Sequence, residues 1–154
     1  MRVLVLAIFL FPFYALADYS GTWTADEMQM VTKKGDTYIC DELTINVNQQ
    51  VDKITFGKFT YACGNFAFTF TPPTLRLDGE KVYFKNKYND YIGTLTDKEV
   101  HLTYVINDKN GRTRITVKRV SDTELDYLDE EIDVDPNTGK DVEMTIHAVV
   151  KKVN

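Results

Sequence analysis

Leu75-Arg76-Leu77-Asp78-Gly79-Glu80-Lys81-Val82-Tyr83-Phe84 reads as two short strands around a tight turn. A two-residue loop centred on Asp78-Gly79, a pair that accepts the positive φ such loops need, sets Leu75 opposite Val82 and puts Leu77 and Phe84 on the same face. Arg76, Lys81, Tyr83 and Lys85 fall on the other face, so the hairpin offers one side to a core and one to water. The next segments repeat the pattern. A turn at Asp97-Lys98 pairs Leu95 with Val100 and Tyr91 with Tyr104, and a loop from Asp108 to Gly111 sets Leu102 against Val117 and Tyr104 against Ile115. One strand, Val100 to Ile106, then serves both hairpins with the same face inward. Nearer the C-terminus, Ile132 pairs with Met144 and Leu128 with Ala148, with a one-residue slip as the alternative register.

Stretches rich in Val, Ile, Thr, Tyr and Phe recur along the whole chain, divided by further turn signals at Lys34-Gly35-Asp36 and Pro136-Asn137-Thr138-Gly139. No helical period stands out beyond the first residues. The expectation is an all-β chain, an up-and-down antiparallel meander of about 8–10 strands. Such a sheet removes its exposed edges by closing into a barrel or by folding into two packed layers.

The two cysteines fit this scheme. If Leu43 to Val47 and Ile54 to Ala62 form a hairpin turning at Val51-Asp52, Cys40 and Cys63 become cross-strand neighbours within reach of a disulfide. The same register turns Phe59 and Tyr61 away from the face of Ile54 and Phe56, so that either the outer face is partly covered or the hairpin is bulged.

At the N-terminus, Arg2 precedes an apolar run from Val3 to Tyr14, interrupted by Pro12, and Ala15-Leu16-Ala17 supplies the small-x-small pattern that a signal peptidase cuts. The run falls short of the roughly 20 apolar residues that a membrane-spanning helix needs. Residues 1–17 are therefore expected to be a cleaved secretory signal and 18–154 a single domain, secreted or periplasmic, without stable membrane insertion. An oxidising compartment favours the Cys40–Cys63 bridge. The lack of an Asn-x-Ser/Thr sequon leans toward a bacterial source. A formal net charge of −5 with dispersed Lys and Arg gives no basic footprint for nucleic acid or anionic lipid.

Tyr19-Ser20-Gly21-Thr22-Trp23 leads into the first strand of the mature chain. This resembles the Gly-x-Trp signature of lipocalins and related calycin barrels, and Asn89-Asp90-Tyr91 is similar to their Thr-Asp-Tyr element. The resemblance implies a closed barrel with Trp23 at one end. It departs from the pattern in two respects: no arginine stands in the closing strand to cover the tryptophan, since Arg119 falls too early, and no helix is expected after the last strand, which runs nearly to Asn154.

Catalytic machinery is hard to assemble from what remains. Only Ser20 and Ser121 are serines, and His101 and His147 alternate to the side of their strands opposite the apolar set. No zinc set can be built from them, and no pair of carboxylates is singled out for glycoside chemistry. Asp133 to Asp141 spaces oxygen donors ahead of Gly139 as calcium loops do, but without the EF-hand order, and reads as a hairpin tip. The acidic run from Asp122 to Asp135 reads as a solvated face. No metal or other cofactor is expected.

Phe66, Phe68 and Phe70 alternate on one strand. An interior lined by Trp23, Phe56, Phe68, Phe84, Tyr91 and Tyr104 would either fill a barrel or enclose a small apolar ligand. The function expected is that of an exported, non-enzymatic binding barrel. The alternative is a protein-interaction module, an inhibitor or envelope accessory factor, contacting partners through loops and an outer face carrying Phe59, Tyr61 and Tyr83.

Overall fold

The computed structural model of the protein describes residues 18–85, 88–105, 111–133 and 141–153, and these form strands and turns without a helix. In chain order the strands are β1 (Gly21–Ala25), β2 (Gln29–Thr32), β3 (Thr37–Ile39), β4 (Leu43–Gln49), β5 (Lys53–Phe56), β6 (Phe59–Cys63) and β7 (Phe66–Phe70). They continue as β8 (Leu75–Asp78), β9 (Lys81–Phe84), β10 (Tyr91–Leu95), β11 (Glu99–Val105), β12 (Arg112–Ser121), β13 (Glu124–Asp133) and β14 (Asp141–Val153). Short connections force consecutive strands to run antiparallel. Ten of them, ordered β1-β4-β5-β8-β9-β10-β11-β12-β13-β14, pair each with the next, and β14 returns to β1 to close a barrel. Closure satisfies the backbone groups that an open sheet would leave at its edges. The expected signal segment, residues 1–17, and the tip of the acidic loop, 134–140, lie outside the described residues.

Two hairpins are additions to the barrel. The 13-residue β14 pairs with β1 through its C-terminal part, Val150 to Val153, and with β2 through Met144 to His147. β3 then extends the sheet beyond β2. β6 and β7 form a separate two-stranded sheet in which Phe59 faces Phe70 and Cys63 faces Phe66. The residue numbers of these pairs sum to the same value as Ile54↔Leu75 in β5–β8, so β5-β6 and β7-β8 make one long hairpin, interrupted at Gly57-Lys58 and Thr71 to Thr74. The distal half is tied back by the Cys40–Cys63 disulfide and by Asp41 N–H donating to the Ala62 carbonyl at 2.7 Å.

The registers follow the sequence in some hairpins and shift in others. β4–β5 pairs Val47 with Phe56, and Cys40 bridges Cys63, both in the expected frame. Leu95 pairs with Val100 as expected. In β8–β9, however, Leu77 rather than Leu75 faces Val82, and in β11–β12, Leu102 faces Ile115 and Tyr104 faces Thr113. Each is a displacement by two residues, which leaves every side chain on its predicted face. The last hairpin slips by one. Tyr127 faces Ala148 and Glu131 faces Met144, while Leu128 pairs with the exposed His147 on the outside. An odd slip reverses the faces, and it turns part of the acidic run inward.

The interior divides into two apolar clusters. One gathers Trp23, Tyr19, Leu75, Leu77, Val82, Ile92, Leu95 and Leu125. The other gathers Ala25, Met28, Met30, Tyr61, Ile146, Ala148 and the disulfide, with Phe59, Tyr127 and Met144 against it. β13 runs from the first, at Leu125, to the second, at Tyr127.

Candidate functional site

Trp23 is 2% exposed and donates its indole N–H to the Tyr19 carbonyl at 2.9 Å, so its one polar group is satisfied inside the barrel. The cation over its ring comes from the closing strand after all, though it is a lysine. Lys152, the cross-strand partner of Trp23, places its Nζ 5.4 Å from the ring centroid. Gly21 makes room for that arrangement: a Cβ there would stand 2.6 Å from Lys152 Cε, and its φ of +136° suits glycine. Arg119 stacks 4.7 Å over the Tyr19 ring and donates to the Asp18 carbonyl at 3.1 Å. The Gly-x-Trp spacing thus delivers a tryptophan plug with a lysine laid across it.

A cavity of about 310 Å³ lies beyond this plug. Its wall runs from Tyr19 and Trp23 through Phe56, Leu75, Val82 and Phe84 to Phe59, Tyr61, Tyr104, Tyr127 and Asp129. Four of the residues expected to line an interior do so: Trp23, Phe56, Phe84 and Tyr104, the last two in edge contact with centroids 5.0 Å apart. Phe68 pairs with Tyr61 in the β6–β7 sheet, but its side chain lies outside the described residues. Its neighbour Phe66 is largely exposed and packs edge-on to Tyr38.

Tyr91 is a correction. It is 57% exposed and meets Tyr83 edge-on at 5.6 Å on the outer face, where Arg76 stacks 4.2 Å from the Tyr83 centroid. The reason is a β-bulge between Tyr91 and Gly93, which brings Ile92 inward in its place. Gly93 permits it, because a Cβ there would fall 1.8 Å from the His101 carbonyl oxygen and φ is +153°.

Phe59 and Tyr61 are corrected in the opposite sense. Both line the cavity and stack with centroids 6.2 Å apart, although strict alternation from Phe56 puts them outside. The break at Gly57-Lys58 between β5 and β6 reverses the phase. Tyr83 does lie outside, with Arg76 and Tyr91.

The largest departure is Asp129, which lay on the face read as solvated. Leu125, Tyr127 and Asp129 are successive inward residues of β13, and Asp129 is the only charged side chain in the cavity wall as described. Burial pushes its carboxyl up to about 6, with further repulsion from Glu131 and Glu130, while a 3.2 Å hydrogen bond from the Tyr127 hydroxyl opposes the rise. Burial raises the Glu131 carboxyl as well. The phenols of Tyr61, Tyr104 and Tyr127 are all pushed up, first by burial and next by the Asp129 carboxylate. The alternation Leu125-x-Tyr127-x-Asp129 was the available signal, outweighed by the density of acids around it.

The histidines are on the outer face. His101 sits 3.2 Å from Glu99 and His147 2.7 Å from Asp126, both largely exposed. Among the described residues no cluster of three or more His, Cys, Asp or Glu could hold a metal ion.

No protein-family model matches the chain, and comparison with curated proteins finds no match. Among solved structures it is similar to the S-type phycobiliprotein lyase CPES from Guillardia theta, with a TM-score of 0.53 over 88% of this chain and 89% of that one. The two share 7% sequence identity, so the likeness is one of fold.

Proposed function

We propose that the protein is an exported, lipocalin-like barrel that carries a small and mostly apolar molecule and does no catalysis. One observation carries this reading: a cavity of about 310 Å³ with a wall that is apolar or aromatic apart from Asp129. Transfer of apolar surface from water into such a cavity contributes about 25 cal/mol per Å² removed from water, and ligand sites begin near 300 Å³. The outward histidines, each beside a carboxylate on the outer face, support the non-catalytic part, since neither is placed to activate a group inside. The disulfide is compatible with an oxidising compartment and so with export.

Native mass spectrometry of the protein purified from its own compartment is the direct test. A retained small-molecule adduct is the expected result. An adduct-free protein whose Trp23 emission is unmoved by fatty alcohols, isoprenoids and aromatic probes would sink the carrier reading. The interaction-module reading keeps one supporting observation, the outer cluster of Arg76, Tyr83 and the exposed Tyr91. It loses Phe59 and Tyr61, which face the cavity. A protein partner in the same spectrum, lost on Tyr91→Ala, would favour it.

A further inference from the structure

One oxygen in the cavity wall has no partner among the described residues. Asp129 Oδ2 accepts from Tyr127, but Oδ1 is buried and meets no hydrogen-bond donor among the described residues. The carboxylates acting on it, Glu131 and Glu130, both repel, and among the described residues no lysine or arginine offsets them. Arg114 is occupied by Glu130 at 2.9 Å and Lys33 by Glu143 at 2.8 Å. A desolvated carboxylate supported by a single hydroxyl is costly, and a donor that brings positive charge is what relieves it most.

We propose that the molecule held in the barrel carries a protonated nitrogen at one end, and that this nitrogen binds Asp129 while the apolar remainder extends toward Trp23. The inference rests on the reading of the barrel as a carrier and names the class of ligand. Tyr61, Tyr104 and Tyr127 line the same part of the cavity and offer π faces and hydroxyls to an ammonium. Leu125, in the cluster around Trp23, lies four residues along β13 from Asp129, about 13 Å of strand, enough for a short alkyl or aryl chain. A carboxylate-headed ligand such as a fatty acid would bring a third negative charge to Asp129 and Glu131, and is excluded.

The test compares three probes that share a chain and differ in the head group: octylamine, octan-1-ol and octanoate. They are titrated calorimetrically into the mature protein near pH 8, with Trp23 emission as a second readout. Octylamine should bind at least about tenfold more tightly than octan-1-ol, the scale of one charge-assisted hydrogen bond, and octanoate should bind most weakly. Asp129→Asn, close in shape, should bring octylamine down to the level of octan-1-ol. Asp129→Leu should do the same, and removes the polar group altogether if the amide disturbs folding.

A pH series gives independent support. The titratable groups facing Asp129 are Tyr61 from β6, Tyr104 from β11, and Tyr127 and Glu131 from β13 itself, with Glu130 beside it. Its cross-strand neighbours Ile115 and Ile146 carry no charge. The phenols stay neutral in the working range, so octylamine should lose affinity as pH falls through about 6 and the carboxyl gains its proton, whereas octan-1-ol should not. Equal affinity for octylamine and octan-1-ol, or a preference that survives both Asp129 variants, overturns the assignment and leaves an apolar carrier standing. If none of the three probes binds, the carrier reading and this inference fall together.

Discussion

The two ends of the barrel are built on different principles. At the Trp23 end the charges and carbonyls are answered: the indole N–H meets the Tyr19 carbonyl, Lys152 covers Trp23, and Arg119 covers Tyr19 and holds the Asp18 carbonyl, with its buried Nε left without an acceptor among the described residues. At the Asp129 end the wall is assembled from the β6–β7 hairpin, Met28 and the face of β13, fastened by a disulfide, and it contains a carboxylate oxygen without a donor among the described residues. Apart from that nitrogen, the first arrangement is what stability alone selects. The second leaves a stability cost in place, and such costs persist where binding needs them.

The comparison breaks first at Trp23. Trp23→Ala removes the largest fully buried side chain and should cost about 3–5 kcal/mol of unfolding free energy, read by denaturant titration. In the wild type the emission of this sole tryptophan should be blue. Solvent-like emission, or an alanine variant of unchanged stability, would mean that this end is not a plug.

The disulfide is the corresponding device at the other end. With a sequence separation of 23, Cys40–Cys63 closes a loop whose removal should cost about 3 kcal/mol, chiefly through the unfolded chain. A Cys40→Ala, Cys63→Ala double variant should therefore lower the unfolding free energy by that amount while the Trp23 emission keeps its wavelength. Two reactive thiols in denatured, unreduced protein would contradict the bridge. A large change in emission would contradict the independence of the two ends.

How much of each end was legible follows from parity. Trp23 announced itself through Gly21-Thr22-Trp23, and displacements of two residues in β8–β9 and β11–β12 left Leu77, Phe84, Leu102 and Tyr104 on their expected faces. Alternation is blind to a single inserted residue. The bulge beside Gly93 sent Tyr91 out, the break at Gly57-Lys58 brought Phe59 and Tyr61 in, and the slip of β13 against β14 exchanged Leu128 for Tyr127. A glycine inside a strand hints at such a break, as at Gly93, but the side toward which the phase turns is decided by packing between strands distant in sequence. The lysine over Trp23 was hidden for the same reason, since only barrel closure brings Lys152 to β1.

Asp129 makes the contrast measurable through pH. Below about pH 4 the group is protonated in both folded and unfolded chains and has no effect on stability. Between the ordinary value of 3.8 and the folded value of about 6 the unfolded chain ionises first, so the folded state binds more protons and stability falls as pH rises. Above about pH 6 the loss is complete, at most about 3 kcal/mol. Glu131, also raised, adds a slope of the same sign. Asp129→Asn should flatten most of this dependence and be more stable than wild type at pH 8 by about 1–3 kcal/mol. A variant less stable than wild type at that pH would show that the carboxylate is already satisfied, and the contrast between the ends would disappear.

The smallest effect concerns Lys152, and it asks what holds Trp23 in place. A cation over an indole contributes about 0.5–1 kcal/mol at a partly exposed site, and the lysine stem adds apolar cover of its own. Gly21 leaves space for that stem to cross, so methylene contact and charge act on the same ring. Lys152→Met keeps most of the stem and removes the charge; its cost in denaturant titration should be below about 1 kcal/mol, with Trp23 emission nearly unchanged. Lys152→Ala removes both, so it should cost more than the methionine variant and move the emission toward the red as water reaches the ring edge. If the two variants cost the same, the charge alone holds the lysine over the tryptophan. A methionine variant as stable as wild type would assign the cover to the stem, leaving the backbone hydrogen bond to Tyr19 as the polar contact that fixes the indole.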